Sequence, residues 1–89
     1  MLTQKQRLDL VVSASALLFG AEWQRALARN LGGYHPDGSR ESIDDRLVRR
    51  WVAGERPVPN WVVPALMRIA EPREREISTM VIRLRHAQR

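Results

Sequence analysis

Eighty-nine residues make one domain, 1–89, because chains divide into separate cores only well above this length, at roughly 250 residues. Fifteen Lys and Arg against ten Asp and Glu leave a net charge of +5, and every cation except Lys5 is an arginine. That composition points to a polyanionic partner, since arginine suits bidentate contact with phosphate and guanine, or merely to a GC-rich genome. Cysteine is absent, which excludes a disulfide framework and a thiolate zinc site and fits a reducing cytoplasm.

Thr3 and Gln6 stand three apart, the spacing of a capping box, and Leu8, Val11, Val12, Leu18 and Phe19 then recur on one face. This is helix one, ended by Gly20. Its apolar stretch resembles a signal peptide behind Lys5 and Arg7, but Asp9, Ser13 and Ser15 interrupt it. No stretch approaches the roughly 20 apolar residues of a transmembrane helix, so no membrane partner is expected.

From Glu22 a short second helix places Trp23, Leu27, Ala28 and Leu31 on a common face, and Gly32 and Gly33 supply residues that tolerate positive φ past its end. Residues 33–42 hold turn formers without an apolar period and read as an exposed loop. Ser42 and Asp45 repeat the capping-box spacing, which starts a third helix near Ile43 and carries it to Ala53. Its apolar side is Ile43, Leu47, Val48, Trp51 and Val52; Arg46, Arg49, Arg50 and Ala53 point another way. Gly54 closes it, and Pro57, Val58 and Pro59 form an extended link. Asn60 is positioned to cap a fourth helix with Val62, Val63, Leu66, Ile69 and Ala70 as its stripe, Pro64 lying in the first turn. Pro72 opens a fifth, over 72–89, where Ile77, Met80, Val81 and Leu84 recur beneath a charged outer face. The expected fold is all-α, a compact bundle of about five helices.

Ala28, Gly32, Val48 and Trp51 fall where the lambda-repressor-like (Cro-type) helix-turn-helix family has a small residue in helix two, a turn glycine, an aliphatic residue in the reading helix and a large apolar residue three further on. Residues 23–70 resemble that family, with the motif over 22–53; similar short repressors occur among phage and anti-CRISPR-associated regulators. The resemblance implies a prokaryotic or phage transcriptional regulator, a repressor that binds double-stranded DNA. It departs from the family in the turn, where residues 33–42 replace a tight passage between the helices. That enlarged turn either lies over the phosphate backbone with Tyr34, His35 and Arg40 or bulges passively into solvent, the reading favoured here because long surface insertions cost little closure entropy.

The resemblance assigns base-edge contact to Asp45, Arg46, Arg49 and Arg50, and phosphate contact to Gln24, Arg25, Arg40 and Arg56. Arginine reads guanine O6 and N7 and aspartate accepts from cytosine N4, so a G·C-rich site is expected. Because one reading helix touches few base pairs, a homodimer on an inverted repeat is expected, with Ile77, Met80, Val81 and Leu84 at the interface. Each feature also has a plainer reading: Trp51 and Trp61 as core, and Arg29, Arg68, Arg73 and Arg75 as solvated surface. His35 and His86 are isolated and point to no metal. No catalytic motif or cofactor signature is present, so an enzyme is not expected. The competing function is a protein-interaction adaptor or inhibitor whose arginines meet an acidic protein; RNA binding ranks below both because no exposed stacking platform is evident.

Overall fold

The first helix begins where the sequence places a reciprocal cap. In the computed structural model, which describes residues 1–88, Thr3 Oγ1 accepts from the Gln6 N–H at 3.1 Å and Gln6 Oε1 accepts from the Thr3 N–H at 2.9 Å. Two donors left open by a helix start are thereby satisfied. The helix, α1, spans Gln4–Phe19 and ends at Gly20, whose φ of +88° favours glycine. It is followed by α2 (Trp23–Gly32), α3 (Asp45–Val52) and α4 (Val62–Ala87), and no strand occurs among the described residues. The fold is all-α, as expected.

The expected stripes of the first four helices supply most of the core, although Val52, expected on the apolar side of the third helix, is exposed. Trp23, Leu27, Ala28 and Leu31 of α2 are all buried, as are Val48 and Trp51 of α3 and Val62, Ala65 and Leu66 of α4. From α1, Val11 and Ser15 are buried, while Leu8, Val12, Leu18 and Phe19 cover the edge. The link before α4 is held by α1 itself: the Val58 N–H donates to Gln4 Oε1 at 3.2 Å, and Arg7 Nη1 donates to the Val58 carbonyl at 3.3 Å. Val58 is thus fastened into the core through its backbone as well as its side chain. No helix among the described residues is long and apolar enough to cross a membrane.

Three boundaries differ from the sequence expectation. Among the described residues there are four helices, not five, because Pro72 lies inside α4. A proline removes one helix donor and crowds the carbonyl four residues back, here that of Arg68. The flanking Leu66, Met67, Arg68, Glu71, Arg73 and Glu74 are good helix formers and carry the helix through Pro72. The third helix starts at Asp45, with Asp44 as its cap, instead of being capped by Ser42. Ile43 precedes the helix as a buried anchor, its N–H donating to the Ala28 carbonyl at 2.9 Å. Asn60 does not cap α4; Trp61 holds that position without a side-chain bond, although Pro64 does fall in the first turn.

Gly32 and Gly33 do not use positive φ. Gly33 has φ −66°, and a Cβ on Gly32 would lie 2.6 Å from the Arg40 carbonyl oxygen and from Ser42 Cα. Gly32 therefore serves close backbone approach, not left-handed geometry.

Every residue from Glu71 to Gln88 is exposed, so the second half of α4 is an arm with no cover from its own chain. The Cα radius of gyration is 15.1 Å with extents of 52 × 27 × 26 Å, against about 12 Å for a compact chain of this length. The arm accounts for the elongation. The last residue of the element expected over 72–89, Arg89, lies outside the described residues.

Gly32→Ala should lower stability by about 1 to 3 kcal/mol, as overpacking against backbone does, whereas Gly33→Ala, with no atom within 4 Å and an ordinary φ, should be neutral or slightly stabilising. Equal urea midpoints for the two variants would contradict the close approach. Trp51→Ala should cost about 3 to 5 kcal/mol, because the side chain is 2% exposed; the same denaturation series measures it.

Candidate nucleic-acid interface

The polar side of α3 is built by helical spacing. Arg46, Arg49 and Arg50 recur at three and four residues on the side away from Val48 and Trp51, and all three are exposed. Burial of Trp51 and Val48 therefore sets which way the arginines face.

The start of α3 adds a second level of order. Asp44 Oδ1 accepts from the Arg46 N–H at 3.0 Å, and the Arg46 guanidinium returns to the same carboxylate at 3.3 Å. The backbone N–H of Arg46, then its side chain, and beyond them the charges of Arg46 and Arg50 hold the Asp44 carboxyl below its ordinary value, against a weaker opposing effect of desolvation. One residue along, Asp45 faces two cations: Arg49 Nη1 at 3.3 Å and, from α2, Arg25 Nε at 4.0 Å.

An open cleft of about 360 Å³ lies between the two helices, lined by Ala21, Glu22, Gln24, Arg25, Asp45 and Arg49. Four of the residues assigned from sequence to DNA contact thus share one cleft, two from each helix. Arg46 and Arg50 share α3 with them. The start of α2 has no side-chain cap at Glu22, so its first-turn N–H groups take no bond from a capping side chain. All three ion pairs are solvent-exposed, with the arginine side chains 56 to 76% accessible. Pairs of this kind contribute about 0 to 1 kcal/mol, so they orient the guanidiniums without committing them.

Arg40 and Arg56 are not gathered there. The Arg40 N–H donates to the Gly32 carbonyl at 2.8 Å, placing Arg40 at the opposite end of α2 from Arg25, about 10 Å along the axis. Arg56 follows the other end of α3 and lines a separate hollow with Gln4, Lys5 and Leu8. Ile77, Met80, Val81 and Leu84 lie on the exposed arm at 37 to 58% accessibility.

Three features escaped the sequence. Asp44 pairs with Arg46, and Asp45 bridges α2 to α3, a link between residues twenty apart that no local spacing announces. The loop over residues 33–42 is also not a free bulge. His35 packs against Trp61 at 5.4 Å between ring centroids, Arg68 lies 5.8 Å over the Tyr34 ring, and the Asp37 N–H donates to His35 Nδ1 at 3.1 Å. Trp61 is accordingly half-buried at the rim of the core. The chain matches no protein-family model, no curated protein and no solved structure.

A carboxyl whose folded pKa lies below its unfolded value stabilises the fold above the unfolded pKa, about 3.9 for Asp, and loses that contribution as pH falls through the folded pKa. The melting temperature of the native protein should therefore exceed that of Asp44→Asn near neutral pH, and the gap should close on acidification below about pH 4. A gap that is constant from neutral to strongly acidic pH would contradict the Asp44 cap.

Proposed function

We propose that the chain is a sequence-specific, double-stranded-DNA-binding transcriptional regulator, a repressor that acts in the cytoplasm as a dimer on an inverted repeat. In this reading α2 and α3 form a helix-turn-helix with an enlarged turn, residues 33–44, and α3 enters the major groove. The observation that carries it is the shared cleft: the arginine side of α3 stands beside Gln24 and Arg25 at the uncapped start of α2. A helix start with open N–H groups and an adjacent Gln and Arg suits a phosphate, while the neighbouring helix offers side chains that reach base edges. The roles follow from that division.

Arg46, Arg49 and Arg50 read guanine. Gln24 and Arg25 hold phosphate, with Arg40 and Arg56 meeting the backbone further out. Asp45, already engaged by Arg25 and Arg49, aims Arg49 and accepts from cytosine where the base sequence supplies it. The sequence pattern of Ala28, Gly32, Val48 and Trp51, which resembles that of lambda-repressor-like regulators, supports the same reading. The exposed apolar stripe on the arm supports the dimer.

The test is a duplex-selection experiment followed by quantitative binding. Arg46→Ala and Arg49→Ala should each lose about 1 to 3 kcal/mol on the selected site and flatten its sequence preference. Gln24→Ala and Arg25→Ala should weaken all duplexes about equally, and Arg25→Ala should reduce the salt slope by about one unit. Selection that yields no preferred duplex, with binding insensitive to salt, would overturn the proposal and leave the arginine face to an acidic protein surface.

A further inference from the structure

The structure leaves one large apolar surface uncovered, and its flanking charges carry directional information. Ile77, Met80, Val81 and Leu84 continue along α4 in phase with the buried Val62 and Leu66, yet beyond Ala70 nothing of the chain covers them. At 3.6 residues per turn, Glu76 and Arg83, seven apart, share one flank of the stripe; Glu74 and Arg85, eleven apart, share the other. Each flank thus carries an acid toward the core and an arginine toward the tip.

We infer that the arm pairs antiparallel with the arm of a second copy, about a two-fold axis between Thr79 and Met80. The inference rests on the dimer reading above and adds its orientation. A two-fold axis across antiparallel helices brings each flank onto the same flank of the mate. With this centre, Glu76 meets Arg83 of the second copy on one side and Glu74 meets Arg85 on the other, each twice by symmetry. One register satisfies both flanks. The base of the arm, residues 71–76, holds three carboxylates against two guanidiniums, and the tip adds Arg83 and Arg85, so a parallel pair would stack arginine tip on arginine tip. The internal Arg73 to Glu76 contact, 3.4 Å and exposed, is weak enough to exchange.

Shape agrees with charge. Leu17, Leu18, Ala70 and Ile77 line an open notch of about 410 Å³ at the base of the arm, and Leu17 is 88% exposed. In the same register Val81 and Leu84 of the second copy come level with this notch. Leu66, which is buried, lies about 20 Å along the helix from the proposed axis, which sets its two copies roughly 40 Å apart along the paired arms.

The chain has no cysteine, so single exposed cysteines report orientation cleanly. Sedimentation of the native protein at micromolar concentration should give a dimer without DNA. An equimolar mixture of Glu76→Cys and Arg83→Cys proteins should oxidise mainly to the mixed disulfide, because the two positions face each other, while Gln88→Cys should stay largely unlinked, its copies lying about 25 Å apart along the axis. A monomer would overturn both the dimer reading and the orientation. A dimer in which Gln88→Cys links to itself would keep the dimer and overturn the antiparallel register. A dimer in which neither pair links would remove the arm from the interface. DNA binding, measured on the same proteins by duplex titration, fails or succeeds separately from all three.

Discussion

Backbone meets backbone where the end of α2 touches the segment leading into α3, and the position of the arginine face depends on that contact. The Gly32 carbonyl accepts from the Arg40 N–H at 2.8 Å, the Ala28 carbonyl accepts from the Ile43 N–H at 2.9 Å, and Gly32 carries no Cβ to hold the strands of chain apart. Twelve residues separate α2 from α3, yet closing a loop of that length costs only slightly more than closing a short one. Once residues 40–43 are docked, Ile43 drops into the core and Asp44 starts a new helix one residue later. Asp45 then arrives beside Arg25. The long connection thereby brings the start of α3 beside the start of α2.

What could be read from the sequence was mostly what periodicity controls. The buried sides of α2 and α3 followed from three- and four-residue spacing, and the Thr3 and Gln6 cap from two residues three apart. Two rules that point to single residues gave the wrong mechanism or position. Ser42 and Asp44 are both good caps, and the choice between them was made by Ile43, whose burial places it before the helix. The paired glycines marked the right location, but the need was proximity to Arg40 and Ser42, which only the docked loop reveals. Pro72 misled because its cost is local, whereas the helix-forming tendency of its neighbours is summed over several turns.

The candidate site was legible in outline for the same reason. Gln24 and Arg25 sit in the first turn of α2 and Asp45 and Arg49 one turn apart in α3, so each pair followed from its own helix; their meeting required the fold. Arg40 and Arg56 belong to irregular segments where no period assigns a direction, and they lie apart from the cleft. The aromatic packing of His35 on Trp61 was hidden likewise, since it joins the loop to α4 across a long stretch of chain.

The electrostatics of the cleft combine order with availability. A guanidinium on a free surface samples many rotamers, and immobilising such a side chain at an interface costs about 0.5 to 1.5 kcal/mol. Asp44 and Asp45 already restrict Arg46 and Arg49, and their carboxylates are exposed enough that each pair is individually weak. A polyanion approaching the cleft therefore meets cations whose directions are partly set and whose existing partners are easily exchanged. A ligand that supplies no strong acceptor would leave Asp44 and Asp45 to keep their arginines.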